Sequence, residues 1–261
     1  MTKQFDASRM SKKTSWDKVA QWYDQLVGDG GSEYHREVIF PHLLKILNIQ
    51  KGDHVLDLAC GQGVFCRILE KLEAIPTGVD ISEKLIRSAR ERSKSSIRYE
   101  IRPAHALAGF ADESFDVVIS ILAIQNIDPL EKVLQEVTRV TKKKGQLFLV
   151  LNHPCFRIPR QSHWGFDEKN KTQYRRLDQY LTPLKIPIQM HPGDNPELIT
   201  WSFHRPLSFY VQILRESGWA VTHLEEWVSH KKSEPGPKAK AEDKARDEIP
   251  LFLALGAVKT K

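Results

Sequence analysis

Hydrophobic and polar positions change period several times along the chain. In SWDKVAQWYDQLV, residues 15–27, the apolar Trp16, Val19, Ala20, Tyr23 and Val27 recur at helical spacing and predict an amphipathic helix. GDGG at 28–31 breaks it, and residues 33–48 predict a second helix ending near Asn48, before a KGD turn at 51–53. Short apolar runs then alternate with helical ones. HVLDLA (54–59), IPTGVDI (75–81), IRYEIR (97–102), FDVVISILAI (115–124) and GQLFLVLN (145–152) predict strands. GVFCRILEKL (63–72), EKLIRSARERS (83–93) and the segment 129–141 predict the helices between them. Strands alternating with helices of about ten residues predict βαβ units on a parallel sheet buried on both faces.

That rhythm stops at residue 153. The stretch 153–205 holds Pro154, Pro159, Pro183, Pro187, Pro192 and Pro196 among the aromatics Trp164, Phe166, Tyr174, Tyr180, Trp201 and Phe203. It reads as an insertion with its own packing, partly helical around 171–181, and a loop-like stretch of this length is usually functional. A helix at 207–218, a strand at 219–227, a charged excursion at 229–248 and a last apolar strand at 249–258 complete the pattern. The expected divisions are an N-terminal helical lid segment at 1–50, a ligand-binding core at 51–152, the insertion or lid at 153–205, and the rest of the fold at 206–261.

Composition narrows the class. With 41% hydrophobic and 28% charged residues the chain is of ordinary globular make-up, and no apolar run approaches a membrane span. The polar start, MTKQFDASRMSKKTSWDK, lacks a secretory core, and Cys60, Cys66 and Cys155 show no CxxC spacing. Both features lead to an expectation of a cytoplasmic protein with reduced thiols. The ten histidines show no HxxxH or HExxH spacing, so no metal is expected. The net charge of +6 gathers at the ends, whereas residues 51–150 carry 15 Lys and Arg against 14 Asp and Glu. Basic ends of this size are usually a solvated surface; nucleic acid is a conceivable partner but not the favoured one.

The chemistry lies in VLDLACGQG, residues 55–63, at a strand-to-helix junction. Gly61 and Gly63 let backbone approach a ligand where a Cβ would collide, and the following helix offers its amide end. Asp57 can face a cationic ligand group. Asp80, ending the second strand in GVDIS, can accept hydrogen bonds from both hydroxyls of a ribose. A dinucleotide and S-adenosylmethionine (SAM) both suit this geometry. The dinucleotide fingerprint needs a third glycine where this chain has Cys66, and a pyrophosphate is poorly served by Asp57. The ammonium of SAM tolerates Asp57 well.

With these motifs in place, the sequence resembles the class I SAM-dependent methyltransferases, in particular the small-molecule group that includes ubiquinone-biosynthesis-type enzymes. VLDLACGQG resembles the family's glycine-rich motif, GVDIS its ribose-binding acid, FADESFDVVIS its fourth-strand motif and KKKGQLFLV its fifth-strand entry. The resemblance implies a Rossmann-like, doubly wound α/β fold. Its sheet would be mostly parallel and seven-stranded with an antiparallel last strand, preceded by N-terminal helices and carrying an insertion after the fifth strand. It also implies that Asp57, Gly61 and Gly63 hold the methionine end, that Ala59 is a further cofactor contact, that Asp80 holds the ribose, and that Ile81 packs on adenine. The family's adenine-binding Asp is absent: Ala104 stands there, with His105 beside it as the implied substitute through its backbone amide. The N/D-P-P-Y/F tetrapeptide of DNA-adenine and protein-glutamine enzymes is also absent, since Gln125-Asn126-Ile127-Asp128-Pro129 occupies its place.

Ligands of this fold bind at the carboxyl ends of the strands. Gln125, Asn126, Asn152 and His153 are therefore expected at the substrate edge, with Asn152 or His153 orienting or deprotonating the nucleophile. Their plainer reading is a tied-down turn before Pro154. His204 and Arg205 can form a substrate site for an anion, or merely enter the next helix at Pro206. Tyr23 can close over the methionine end of SAM, or simply pack its helix. Arg157, Arg160, Arg175 and Arg176 can bind phosphate, or pair with Asp167, Glu168 and Asp178. His153 and His204 are the expected catalytic groups; Gln125, Asn126, Asn152, Arg157 and Arg205 are the expected substrate contacts. The reaction expected is direct methyl transfer to a small molecule, with an RNA or protein acceptor, or a SAM-binding module without catalysis, as alternatives.

Overall fold

The computed structural model describes residues 15–189 and 199–260; the basic start of the chain before residue 15, with Pro192 and Pro196, lies outside them. Helix α1 (Ser15–Val27) buries Val19, Ala20 and Val27 as the spacing requires. The second helical segment is less regular than its sequence suggests. His35–Ile39 forms a wide π turn in which the Phe40 amide reaches back to the His35 carbonyl, and α2 (Phe40–Ile46) follows. Pro41 has no amide to continue the ordinary ladder, which accounts for the break there.

The predicted alternation follows as β1 (His54–Leu58), α3 (Val64–Lys71), β2 (Ile75–Asp80), α4 (Glu83–Arg92), β3 (Arg98–Ile101), β4 (Phe115–Ile121), α5 (Leu130–Val140) and β5 (Thr141–Asn152). Two hairpins come next: β6 (Ser162–Asp167) with β7 (Thr172–Leu177), and β8 (Leu184–Gln189) with β9 (Ile199–His204). The chain closes with α6 (Leu207–Glu216), β10 (Trp219–Trp227), α7 (Ala239–Glu248) and β11 (Phe252–Lys259).

Seven strands form one sheet in the order β10-β11-β5-β4-β1-β2-β3. Strands β1 to β5 pair in parallel, and β11 runs antiparallel to both β5 and β10. Alternate residues serve opposite faces. Val55, Val117, Ile119, Phe148 and Val150 pack on Phe40, Leu43, Phe65 and Leu69. Leu56, Leu58, Val118, Leu147 and Leu149 pack on Val133, Leu134, Val137, Ile213 and Leu214. This two-sided burial is why the strands read as nearly continuous apolar runs. The chain leaves β1 toward β2 on one side and places β4 on the other, so a crevice opens where the order reverses.

The insertion is not helical around 171–181 as its sequence suggested; it is strand β7 followed by irregular chain. In DEKNK, Asp167 Oδ1 accepts the amides of Lys169 and Asn170 and makes the turn. Tyr174 then covers Gly165, where an added Cβ would sit 2.4 Å from the phenol ring, and Arg175 lies over Trp164 at 5.1 Å. These cross-strand contacts favour the hairpin. The charged excursion at 229–248 contains α7, which was not expected from its sequence.

Candidate functional site

The carboxyl ends of β1, β2 and β4 open into a cavity of about 450 Å³. Its floor is the turn after β1, where Ala59, Gly61 and Gly63 all take left-handed backbone with φ of 60°, 56° and 77°. Asp80 organises this floor. Its Oδ2 accepts the Gly61 amide at 2.9 Å and its Oδ1 accepts the Ser82 amide at 2.8 Å, so the carboxylate is fixed while still bordering the cavity. Ser82 caps α4 by accepting the Leu85 amide, and its hydroxyl donates to Asp17 of α1 at 2.6 Å. One short stretch thus ties the N-terminal helix to the end of β2.

Of the residues expected at the cofactor, Tyr23, Ala59, Gly61, Asp80, Ile81 and His105 border the cavity, and Ala104 lies beside His105. Tyr23 lies directly over the floor: a Cβ on Gly61 would stand 3.0 Å from its ring. Asp57 and Gly63 do not border the cavity. Asp57 lies beneath the turn, accepting the Cys66 thiol at 3.3 Å. Gly63 begins α3, and a Cβ there would meet the Tyr99 hydroxyl at 2.3 Å. Its lack of a side chain is therefore demanded by packing against β3, a reason different from the ligand approach that its position in the motif suggests.

The two carboxyls carry an unusual charge balance. Burial pushes Asp57 up to about 7 and Asp80 up to about 6, the latter against the amides of Ser82 and Gly61 that favour its charge. A buried acid without a cation is costly to ionise. SAM brings a positive charge and two ribose hydroxyls, and this donor set fits the acids: Asp80 for the hydroxyls, and Asp57 beneath the floor as compensating charge. For the free protein, each raised pKa contributes stability that is full below the unfolded value of 3.8 and is lost as pH rises through about 6 and 7. SAM needs the ionised forms, so its affinity is expected to weaken from pH 8 to about pH 5.5, with proton uptake by the protein on SAM release. Calorimetric titrations in buffers of different ionisation enthalpy check this; a pH-independent affinity without proton exchange would contradict it.

The expected catalytic pair lies elsewhere. His153 is buried, with Nε2 at 2.7 Å from Glu226 and Nδ1 accepting the Cys155 amide. His204 is also buried, and its Nε2 meets the Tyr180 carbonyl at 2.6 Å. Neither ring borders the cavity, and the polar bonds of each tie down the insertion instead. Burial lowers both imidazoles below their ordinary range. The structure thus does not bring the two histidines expected to act on the substrate to this cavity.

Among the expected substrate contacts, only Asn126 borders the cavity. Gln125 turns its amide to the Leu122 carbonyl at 2.8 Å, Asn152 ends β5 opposite Phe252, and Arg157 opens onto a separate cleft with Trp164 and Arg175. Arg205 is buried and pairs with Asp128 at 2.7 Å while donating to the Ile127 carbonyl, so it pins the turn after β4 from the insertion side. Arg176 pairs with Asp178 as expected, whereas Arg175 donates to Phe156 and Ser162 oxygens.

Several wall residues were not singled out as ligand contacts in the sequence: Leu26, His35 and Leu122, with Val27, Trp201 and Phe203, which were read only as packing positions. Strand β9 alternates Trp201 and Phe203 on one face, a period-two signal hidden within the irregular insertion. Gln62 was also missed. It is buried, donates to the Gly28 carbonyl and accepts from Arg67 at 2.7 Å, while Arg67 reaches the Asp29 carbonyl. The turn at 28–31 is thereby fastened to the cavity floor, bringing the π turn to the site.

Residues 56–149 match the family described as methyltransferase domain, and the chain has the fold of a class I SAM-dependent methyltransferase. A SAM-dependent methyltransferase from Mesorhizobium loti aligns with a TM-score of 0.67 and 26% identity, covering 84% of this chain and 96% of that one. A Listeria monocytogenes protein assigned to the same class aligns with a TM-score of 0.68 and 25% identity, covering 85% and 98%. The demethylmenaquinone methyltransferase of Leptospira interrogans is 32% identical over 149 residues, 54% of this chain and 59% of the relative. That of Tropheryma whipplei is 31% identical over 111 residues, 42% and 46%. The chain thus spans about half the length of the curated relatives it matches.

Proposed function

We propose that the chain transfers the methyl group of SAM to the reduced ring of a quinone-type small molecule. The observation that carries this reading is the division of the cavity. Toward β2 it offers Asp80, Ile81, Ala104 and His105, the groups suited to an adenosine; toward β4 it is walled mainly by Leu26, Val27, Ile121, Leu122, Trp201 and Phe203, with Asn126 and Asp128 as polar exceptions. An apolar wall beside a polar cofactor half suits a flat, apolar acceptor. The name of the curated relatives points to the same class.

When bound, SAM supplies a sulfonium methyl that is already electrophilic. A quinone ring is itself electrophilic, so the nucleophile is the electron-rich hydroquinone. Its ring carbon supplies the electron pair for the new C–C bond, the old C–S pair stays on sulfur, and the ring proton passes to water. This direct displacement needs alignment above all. Asp80 fixes the ribose, Tyr23 closes over the floor, and Phe203 and the partly exposed Trp201 flank the face of the acceptor. No described helix is long and apolar enough to cross a membrane, and the free cysteines include the buried Cys60 and Cys66. A reducing cytoplasm suits those thiols.

The test is transfer of labelled methyl from SAM to a naphthohydroquinone bearing one short prenyl chain, kept reduced. Labelled product is expected; a protein that binds SAM yet leaves this acceptor unlabelled would count against the reading. Trp201→Ala is expected to raise the acceptor KM roughly ten- to a hundredfold, the effect of losing roughly 1.5–3 kcal/mol of apolar burial. SAM affinity should stay near the parent value, and a matching loss of SAM affinity would move Trp201 to the cofactor side.

A further inference from the structure

The apolar half of the cavity contains one histidine whose surroundings define its protonation. His35 is 6% exposed, stands in the cavity wall, and stacks on Phe40 with ring centroids 5.2 Å apart and planes 14° from parallel. The Ser32 backbone N–H donates to its Nδ1 at 3.2 Å, and the Ser32 hydroxyl lies 3.0 Å from the same atom. An amide can only donate, so Nδ1 is an acceptor and the neutral ring carries its proton on Nε2. Protonating Nδ1 would set two N–H groups against each other. Burial, with the neighbouring Arg36 charge, lowers the imidazole to about 4. Nε2 hydrogen-bonds no described residue.

Its placement is equally constrained. His35 opens the π turn, and π turns in helices often occur at functional sites. The turn before it is fastened to the cavity floor through Gln62 and Arg67. The wall it shares with Val27 and Leu122 lies toward β4, while Asp80 ends β2, two strands away in the sheet. Two strand spacings are about 10 Å. With Nδ1 engaged by Ser32, Nε2–H is the neutral donor that remains on this cavity-lining ring.

We propose that His35 is the polar anchor of the acceptor: Nε2–H donates a hydrogen bond to a ring oxygen adjacent to the carbon that is methylated. This rests on the hydroquinone reading above and adds the group that sets the ring's register. The ring orientation then depends on this donor, set among the apolar Val27, Leu122, Trp201 and Phe203 with Asn126 and Asp128 as the polar neighbours after β4, so His35 selects acceptors carrying an oxygen next to the reacting carbon. It is not a base, because Nε2, the nitrogen that Ser32 does not engage, already holds its proton.

The experiment is steady-state methyl transfer to the same short-chain naphthohydroquinone by three proteins: the parent, His35→Leu and His35→Gln. Leu keeps an apolar side chain without the donor, and the Gln amide nitrogen can take the place of Nε2. His35→Leu is expected to raise the acceptor KM at least tenfold, with SAM affinity unchanged and the pH profile of kcat retaining its shape. His35→Gln is expected to recover most of that loss. An unchanged acceptor KM in a folded His35→Leu protein, or an equal loss in the Gln protein, overturns the anchor while leaving the hydroquinone reading intact. Disappearance of an acidic limb from the pH profile on His35→Leu overturns it in favour of a base. A parent protein that binds SAM but does not methylate the hydroquinone overturns both readings together.

Discussion

An Asp80→Ala chain is expected to bind SAM ten- to a hundredfold more weakly than the parent, the equivalent of about 1.5–3 kcal/mol for hydrogen bonds to a charged group. Two effects add here. The ribose loses its acceptor, and the amides of Gly61 and Ser82 lose the partner that shapes the cavity floor. Asp80→Asn is not a mild substitute. An amide side chain has one oxygen, so it can satisfy only one of these two N–H donors and turns its own N–H₂ toward the other. Calorimetry on both variants, beside their melting temperatures without ligand, separates ligand loss from loop loss. Parent-like affinity in Asp80→Ala would remove the ribose from this carboxylate.

Gly61→Val is expected to abolish measurable SAM binding. The backbone at this position has a φ of 56°, which disfavours a β-branched residue, and its Cβ would already stand 3.0 Å from the Tyr23 ring. The further methyl groups must displace Tyr23 or enter the cavity. The companion substitution Gly63→Ala is expected to act differently. Its Cβ would meet the Tyr99 hydroxyl at 2.3 Å, under the floor and away from the cavity. It should therefore lower folding stability by roughly 1–3 kcal/mol, as overpacked cores do, with a smaller effect on SAM affinity once folded. Thermal melts and SAM titrations of the two variants distinguish the roles. Undiminished SAM binding in a folded Gly61→Val protein would take the cofactor away from this turn.

Most of the sheet was legible because its strands are buried on both faces and its helices on one. The runs at Val55–Leu58 and Leu147–Leu151 carry that signal directly. The cofactor half was legible for a related reason: strand, acid, glycine turn, helix and second acid lie within one short stretch, where spacing fixes geometry. Asp57 and Gly63 show the limit. Their places in the motif suggest contact with the ligand, but one buried side chain on a later element, Tyr99, and the thiol of Cys66 decide what each of them touches.

The acceptor half was largely illegible. Its wall is assembled from α1, the π turn, the turn after β4 and strand β9, segments widely separated in sequence. His153 and His204 stood at plausible chain positions, at the end of β5 and before α6, but the partners that engage them, Glu226 and the Tyr180 carbonyl, come from other elements. His35 gave the opposite impression, a polar residue early in an ordinary-looking helix. Only the fastening of residues 28–31 by Gln62 and Arg67 brings it to the cavity. The hairpin at β6 and β7 was hidden by charged residues, although DEKNK between two alternating runs is a turn signal that favours strands.

The most direct test is titration of the purified protein with SAM and, separately, with NADH, followed calorimetrically near pH 8, where Asp80 and Asp57 are ionised. Saturable binding of SAM at one site per chain, lost in Asp80→Ala, with no binding of NADH, is the expected result. Binding of NADH in preference to SAM, or SAM binding indifferent to Asp80, would contradict the assignment of this cavity to a methyl donor.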